Sequence, residues 1–149
     1  MPAGRKSARR QAVFYLYQWD LLGVSLEELF RRGMEDEVHP YTRELATGVA
    51  REQEDIDRLI SLHLEDWTLE RLGFLERAIL RVAVYELLHC QDVPEAVAID
   101  EAVELAKRYC SVEAGALVNG VLGGLVAQGP GRRPPDFADP MRPREEVEP

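Results

Sequence analysis

Apolar residues recur at intervals of three and four along most of this chain, which is the period of an amphipathic α-helix. In the first such segment, residues 7–22, the apolar positions end at Gly23, a residue type that commonly ends helices. No segment keeps the alternation of apolar and polar residues that is typical of a half-buried strand. The pattern therefore predicts an all-α protein.

Residues that begin and end helices divide the chain into seven predicted helices. Ser25 with a glutamate three residues later has the form of a capping box, and Pro40 suits the first turn of the next helix. Thr68 and Ser111 are placed to cap two further helices. The predicted helices span residues 7–22, 25–33, 40–64, 68–73, 74–90, 94–109 and 111–126.

The fifth predicted helix, residues 74–90, is apolar on nearly every side. Its apolar positions are Leu75, Ala78, Ile79, Leu80, Val82, Ala83, Val84, Leu87 and Leu88. A helix without a polar face has to be covered all round by other elements. We therefore expect this helix at the centre of the fold.

A chain of 149 residues is long enough for one compact domain or for two small helical subdomains that share a core. Hydrophobic residues make up 46% and charged residues 30% of it, the balance of a soluble globular protein. No run approaches the roughly 18 apolar residues of a membrane span, and no signal-peptide cleavage site follows the basic N-terminus. Its two cysteines, Cys90 and Cys110, favour a reducing cytoplasm over a disulfide scaffold.

The composition changes abruptly near residue 128. Six of the nine prolines lie beyond that point, where the helical periodicity stops. A proline-rich polar segment buries too little apolar surface to fold. The sequence thus predicts a helical domain over residues 1–127 and a disordered tail over residues 128–149.

Charge is distributed unevenly along the chain. Its net charge is −9, yet the first ten residues hold four of the 18 lysines and arginines and none of the 27 acidic residues. We call these four residues, Arg5, Lys6, Arg9 and Arg10, the basic arm. An acidic body argues against wrapping duplex DNA, but a local arm is able to neutralise several phosphates of a single strand. A solvated tail without a partner is the alternative.

The basic arm leads directly into four aromatic residues, Phe14, Tyr15, Tyr17 and Trp19. This combination suits single-stranded RNA, whose phosphates pair with cations and whose bases stack on rings. The amphipathic pattern favours Trp19 in the core and leaves Tyr15 and Tyr17 as candidates for surface rings. Arg81 stands on the apolar fifth helix, either paired internally with a carboxylate such as Glu86 or exposed to hold a phosphate.

Catalytic and metal-binding patterns are missing from the sequence. The three histidines lie on three different segments without ligands at metal-site spacing. The serines fit no nucleophile motif, and the late Gly123-Gly124 pair is not followed by the lysine of a phosphate-binding loop. We therefore expect no catalytic residue, no metal and no cofactor, and hence no enzyme.

Four segments together resemble the NusB family: ARRQAVFYLYQW at 8–19, LERAILRVAVYEL at 75–87, DVPEAVAIDEAVELAK at 92–107 and VNGVL at 118–122. The resemblance runs from about Arg5 to Val126 in consistent order. It implies seven helices in two packed subdomains. It also implies a transcription antitermination factor that binds the boxA element of nascent ribosomal RNA with NusE, a small-subunit ribosomal protein. NusA, NusG and RNA polymerase complete the implied complex.

The resemblance also implies two sets of contact residues. The implied RNA contacts are Arg5, Lys6, Arg9, Arg10, Tyr17, Arg81, Glu113 and Leu117. The implied NusE contacts are Tyr17, Leu21 and Glu76. Two positions depart from the family pattern: Leu117 stands where an aromatic residue is common, and Arg10 stands where an acidic residue occurs.

Two other functions compete with RNA binding. A helical adaptor would use the same surface for protein contacts alone, with the basic arm incidental. A detached relative of the NusB-like domain found in some ribosomal RNA methyltransferases is a weaker alternative, because no S-adenosylmethionine domain follows. A homodimer that covers the RNA surface is compatible with the family resemblance.

Overall fold

The computed structural model describes residues 4–33, 37–65 and 68–128, and these residues form seven α-helices and no strand. The helices are α1 (Arg5–Leu22), α2 (Leu26–Arg32), α3 (Pro40–Arg51), α4 (Gln53–Leu62), α5 (Phe74–His89), α6 (Glu95–Tyr109) and α7 (Val112–Ala127). The all-α prediction is confirmed. Apart from Gln128, the predicted tail lies outside the described residues, as does most of the acidic segment between α2 and α3.

The seven helices are not the seven segments that the sequence predicts. The predicted helix 40–64 is two helices, because Glu52 leaves helical geometry with φ −110° and ψ 24° between α3 and α4. The predicted helix 68–73 is a single 3-10 turn, Leu69–Arg71. Val49 and Ile56 lie seven residues apart on either side of the break and are both buried. The apolar period therefore continues across Glu52 and hides the break.

Local hydrogen bonds account for most helix ends. Ser25 Oγ accepts from the Glu28 N–H at 3.1 Å, and Ser111 Oγ accepts from the Ala114 N–H at 2.9 Å. Gly23 ends α1 with φ 69°, a conformation that favours glycine. The sequence pattern missed the caps of α3 and α5. His39 caps α3 by accepting from the Tyr41 N–H through Nδ1 at 2.9 Å, and Glu76 caps α5 by accepting from the Gly73 N–H at 2.8 Å. The predicted Thr68 cap is wrong, because its side chain forms no capping hydrogen bond within the described part of the chain.

Helix α5 lies at the centre, as its sequence predicts. Every residue from 78 to 88 is buried, and α5 contacts α1, α3, α4, α6 and α7. Helices α1, α2 and α3 form one group, in which α1 and α3 contact α5 and α2 contacts α1, and the α6–α7 pair forms a second group that also contacts α5. The approach of α3 is close, since a Cβ atom at Gly48 would lie 2.3 Å from the Tyr85 ring. The two halves thus share one core along α5.

The described helices are α1 to α7, as bounded above. None of those seven is both long enough and apolar enough to span a bilayer.

Candidate nucleic-acid interface

The basic arm forms the first two turns of α1, and its four side chains separate according to the helical period. Arg9 shares a face with the buried residues Ala12, Val13 and Leu16, at offsets of three, four and seven, and is itself buried. The other three cations, Arg5, Lys6 and Arg10, are exposed. The arm therefore presents three cations at the surface and directs one into the core.

Arg9 ends in a buried ion pair between α1 and α5. Its Nε donates to both carboxylate oxygens of Glu86 at 2.9 and 3.0 Å, and only 4% of Arg9 is exposed. Tyr41 of α3 donates its hydroxyl to the same carboxylate. Burial opposes the charge of Arg9, but hydrogen bonding to Glu86 and the Glu86 charge raise its pKa overall. Glu86 thus joins three helices.

The same buried cluster contains a phenol that stays protonated. Burial and the hydrogen bond to Glu86 raise the pKa of Tyr41 well above its ordinary value. The hydroxyl of Tyr41 therefore remains a donor at every physiological pH. Its ring also lies 4.6 Å below the guanidinium of Arg5, which links the exposed part of the arm to the cluster.

Two exposed cations of the arm already have carboxylate partners on the body. Arg5 Nη2 lies 2.6 Å from Asp92 Oδ2, in the segment before α6. Lys6 Nζ lies 2.9 and 3.0 Å from the two carboxylate oxygens of Glu101, within α6. Arg10 donates to Ser7 Oγ at 3.3 Å and forms no ion pair with any residue described here. These pairs fix the first turn of α1 against the start of α6.

Arg81 lies inside the protein, which corrects its expected position on the surface beside the arm. It donates to both oxygens of Asp57 on α4, at 2.8 and 2.9 Å, and to Asp20 on α1 at 3.0 Å. Only 4% of it is exposed. Of the alternatives that the sequence left open, internal pairing is correct, although the partners are these two aspartates and not Glu86. Arg77 also binds Asp20, so this cluster holds the end of α1 against α5.

The aromatic residues of α1 also divide by face. Tyr15 is fully buried, with its ring edge-on to Phe30 at 4.9 Å, so the expectation of a surface ring is wrong there. Its position is explained by the helical period, since residue 15 falls on the same face as Ala8 and Ala12. Tyr17 and Trp19 are half-buried and pack against the edge of the core.

Tyr17 and Glu76 line a common groove of about 460 Å³. Its walls come from α1, the start of α5 and the end of α6, and they are mainly aromatic: Phe14, Tyr17, Phe74 and Tyr109, with Leu75, Glu76, Gly73 and Cys110. Leu21 is exposed one helical turn beyond Tyr17 but does not line this groove. Glu76 also has a local role, because its Oε1 accepts from the Gly73 N–H at 2.8 Å and caps α5.

Glu76, Glu113 and Leu117 line a second, smaller pocket of about 210 Å³ at the start of α7. Glu76 therefore borders both cavities, and the structure brings the predicted NusE contacts next to part of the predicted RNA contacts. The basic arm lies elsewhere, since Arg5 and Tyr17 are separated by roughly 18 Å of helix at 1.5 Å per residue. The predicted RNA contacts thus form two groups, one at each end of α1.

The carboxylates that pair with the predicted cations lie far from them along the chain. Asp92 and Glu101 lie 87 and 95 residues from their partners on the arm. Asp20 and Asp57 lie 61 and 24 residues from Arg81. No spacing rule relates residues so far apart, so local pattern carried no signal for these four. The aromatic groove residues Phe74 and Tyr109 were also missed as surface groups, although both are exposed.

The histidines have individual roles among the described residues. His39 caps α3, His89 Nε2 lies 2.7 Å from Glu52, and His63 Nε2 lies 3.1 Å from the amide oxygen of Gln128. Within the ranges 4–33, 37–65 and 68–128, no three side chains group as metal ligands.

Comparison with known proteins gives consistent matches. The NusB family model matches residues 6–127. A structure of NusB from T. maritima superposes with a TM-score of 0.78 at 34% identity, covering 86% of this chain and 94% of that one. The solution structure of NusB from Aquifex aeolicus gives a TM-score of 0.71 at 36% identity, covering 83% and 87%. A structure of the antitermination factors NusB and NusE in complex with dsRNA gives 0.74 at 34% identity, covering 84% and 97%.

Proposed function

The chain belongs to the NusB family, and on that premise we propose that it is an RNA-binding transcription antitermination factor. In this proposal it binds the boxA element of nascent ribosomal RNA together with NusE. The observation that carries the proposal is the similarity, over most of both chains, to a NusB whose structure includes NusE and RNA. The exposed cations of α1 supply the electrostatic component that nucleic-acid binding requires.

The phosphate contacts in this proposal come from Arg5, Lys6 and Arg10, which are exposed on the first two turns of α1. Arg9 and Arg81 have a different role, because opening either buried ion pair would leave an uncompensated charge in the core. These two arginines hold α1 against α5 and thereby position the arm. They act on RNA through the orientation of α1 and not by contact.

Glu113 and Leu117 form the second part of the proposed RNA surface, at the start of α7. Leu117 lines its pocket with an aliphatic side chain, so a base packs there by apolar contact and not by ring stacking. Glu113 repels phosphate, so its useful contacts are to base or ribose donors. Tyr17 is half-buried and lines the aromatic groove, which shares Glu76 with this pocket, so its ring is the proposed aromatic contact to RNA at this end of α1.

NusE is proposed to occupy the aromatic groove. Phe74 and Tyr109 are exposed there, which favours a partner that covers apolar rings. Glu76 adds a carboxylate on the rim, and Leu21 extends the apolar surface along α1. We further propose that the complex with NusE and RNA recruits NusA, NusG and RNA polymerase, and that the protein works in the cytoplasm without catalytic chemistry.

A helical adaptor without RNA binding of its own is the second candidate. One observation favours it: Arg5 and Lys6 already pair with Asp92 and Glu101, so the arm needs no phosphate to satisfy its charge. An adaptor would bind NusE through the aromatic groove and leave RNA recognition to NusE. The two candidates therefore differ in whether this chain adds RNA affinity.

Fluorescence anisotropy with a labelled boxA RNA separates these candidates. The RNA is titrated with NusE alone, with this protein alone and with both together. RNA binding predicts that the pair binds more tightly than NusE alone and that the gain is lost as salt rises. The same affinity for the pair and for NusE alone would establish the adaptor and contradict the proposed function.

A further inference from the structure

Two ion pairs close the exposed part of the basic arm onto the acidic body. Arg5 pairs with Asp92, and Lys6 pairs with Glu101. Both carboxylates come from the α6 region, more than 80 residues further along the chain. The arm is therefore not a free cationic tail, and a phosphate that binds it meets two carboxylates already in place.

We propose that Asp92 and Glu101 are internal competitors of RNA, which occupy the cations of the arm and must be displaced when a phosphate binds. Their charge then lowers the affinity of the arm for any polyanion. This inference rests on the proposed RNA-binding function of Arg5 and Lys6. It adds two residues that determine RNA affinity without being RNA ligands.

The ion pairs of the arm differ in burial, and only the two exposed pairs, Arg5–Asp92 and Lys6–Glu101, are able to exchange a carboxylate for a phosphate. The side chains of Arg5 and Asp92 are 45% and 66% exposed, and those of Lys6 and Glu101 are 73% and 22% exposed. Pairs as exposed as these contribute little, so a phosphate displaces each one with only about a two- to fivefold loss of affinity. The Arg9 and Glu86 side chains are 5% and 0% exposed, and that pair stays closed.

The electrostatics of α1 favour phosphate once the carboxylates are removed. The first turn of α1 has no acidic residue, and Gly4 provides no side-chain cap. Its positive helix end and its basic side chains therefore lie together without a local counter-ion. Asp92, just before α6, and Glu101, within α6, supply that counter-charge. When a phosphate replaces them, both carboxylates remain nearby and repel it.

The test is the double variant Asp92→Asn with Glu101→Gln, which keeps side-chain size and removes two negative charges. Its affinity for a boxA RNA at low salt should rise roughly four- to twenty-fivefold, the combined effect of two exposed pairs. Arg9 keeps Glu86 in this variant and loses only the charge of Glu101, whose Oε1 lies 3.9 Å from the Arg9 Nη1. Thermal melting establishes that the fold is retained.

A matched control removes two negative charges from α6 at positions that do not contact the arm. Asp100 and Glu104 are exposed on α6 and form no ion pair within the described part of the chain. The variant Asp100→Asn with Glu104→Gln should change RNA affinity less than about twofold, since these carboxylates lie outside the arm contacts. Equal gains in the two double variants would show a general effect of net charge and overturn the proposal.

A third comparison tests whether the increase in RNA affinity requires Arg5 and Lys6. In a chain that carries Arg5→Ala and Lys6→Ala, the Asp92→Asn and Glu101→Gln changes should give no more affinity than the α6 control. If the Asp92→Asn, Glu101→Gln variant instead binds RNA more weakly, the two ion pairs hold the arm in its binding conformation. That result would also contradict the proposal that the carboxylates compete with RNA. If the Arg5 and Lys6 changes leave RNA binding unaltered, the arm's proposed function itself fails, an outcome distinct from the other two.

Discussion

Glu86 joins three helices through one side chain, since its carboxylate on α5 accepts from Arg9 of α1 and from Tyr41 of α3. It is fully buried in α5. Removing a hydrogen-bond donor would leave the Glu86 charge uncompensated in the core, and removing the carboxylate would leave Arg9 buried without its hydrogen-bond acceptor. Either loss would destabilise the fold. The orientation of the basic arm thus depends on one acidic side chain in the core.

Replacing Glu86 with Gln should lower the free energy of unfolding by about 3 kcal/mol, because it leaves the buried Arg9 guanidinium with only the Glu101 carboxylate, 3.9 Å away, as a counter-charge. Urea unfolding followed by circular dichroism measures this change. Tyr41→Phe removes only one hydrogen bond to Glu86 and should cost about 1 kcal/mol. A cost below 1 kcal/mol for Glu86→Gln would show that Arg9 does not depend on the pair.

At the residue scale, the helical period already predicts that Arg9 is buried, although the family resemblance assigns Arg9 to RNA contact. Residue 9 stands three and four positions before Ala12 and Val13, so the pattern alone places Arg9 on the inner face. The pattern does not identify Glu86 as the residue that neutralises the buried charge of Arg9, because Glu86 lies 77 residues away in the sequence. The local pattern also does not identify the partners of Arg81, because Asp20 lies on α1 and Asp57 lies on α4.

At the scale of elements, two helix caps formed by nearby residues were predictable from the sequence, and the break between the successive helices α3 and α4 was not. Ser25 and Ser111 cap their helices through contacts three residues away, within reach of a sequence pattern. The end of α3 at Arg51 has no such signal, because the apolar spacing continues from Val49 to Ile56. The aromatic groove was likewise hidden, since its walls come from three helices.

The N-terminus of α5 supports a test that separates stability from partner binding. Glu76 accepts from the Gly73 N–H and also borders the groove proposed for NusE. Glu76→Ala should lose about 1 kcal/mol of stability with the cap and should also weaken NusE binding. Glu76→Gln keeps an acceptor for the cap and removes only the charge.

In calorimetric titrations, both Glu76 variants should bind NusE more weakly, whereas only the alanine variant should melt at a lower temperature. Unchanged NusE affinity in both variants would remove Glu76 from the proposed interface. A loss of RNA affinity with normal NusE binding would instead assign this end of α1 to RNA.

At the scale of the whole molecule, the protein is an acidic body with its exposed arm cations at one end of α1 and its aromatic groove at the other. The net charge of −9 opposes any polyanion, so RNA affinity has to come from a local concentration of cations. Three such cations, Arg5, Lys6 and Arg10, are exposed on α1. A protein of this kind should depend on NusE to raise its RNA affinity.

The salt dependence of RNA binding tests this account most directly. Three phosphate contacts to a single strand predict that the logarithm of the affinity falls with the logarithm of salt concentration with a slope of about −2 from the arm. The triple variant Arg5→Ala, Lys6→Ala and Arg10→Ala should lose that contribution while keeping its melting temperature and its affinity for NusE. An unchanged slope and affinity in the triple variant would contradict RNA binding by the arm.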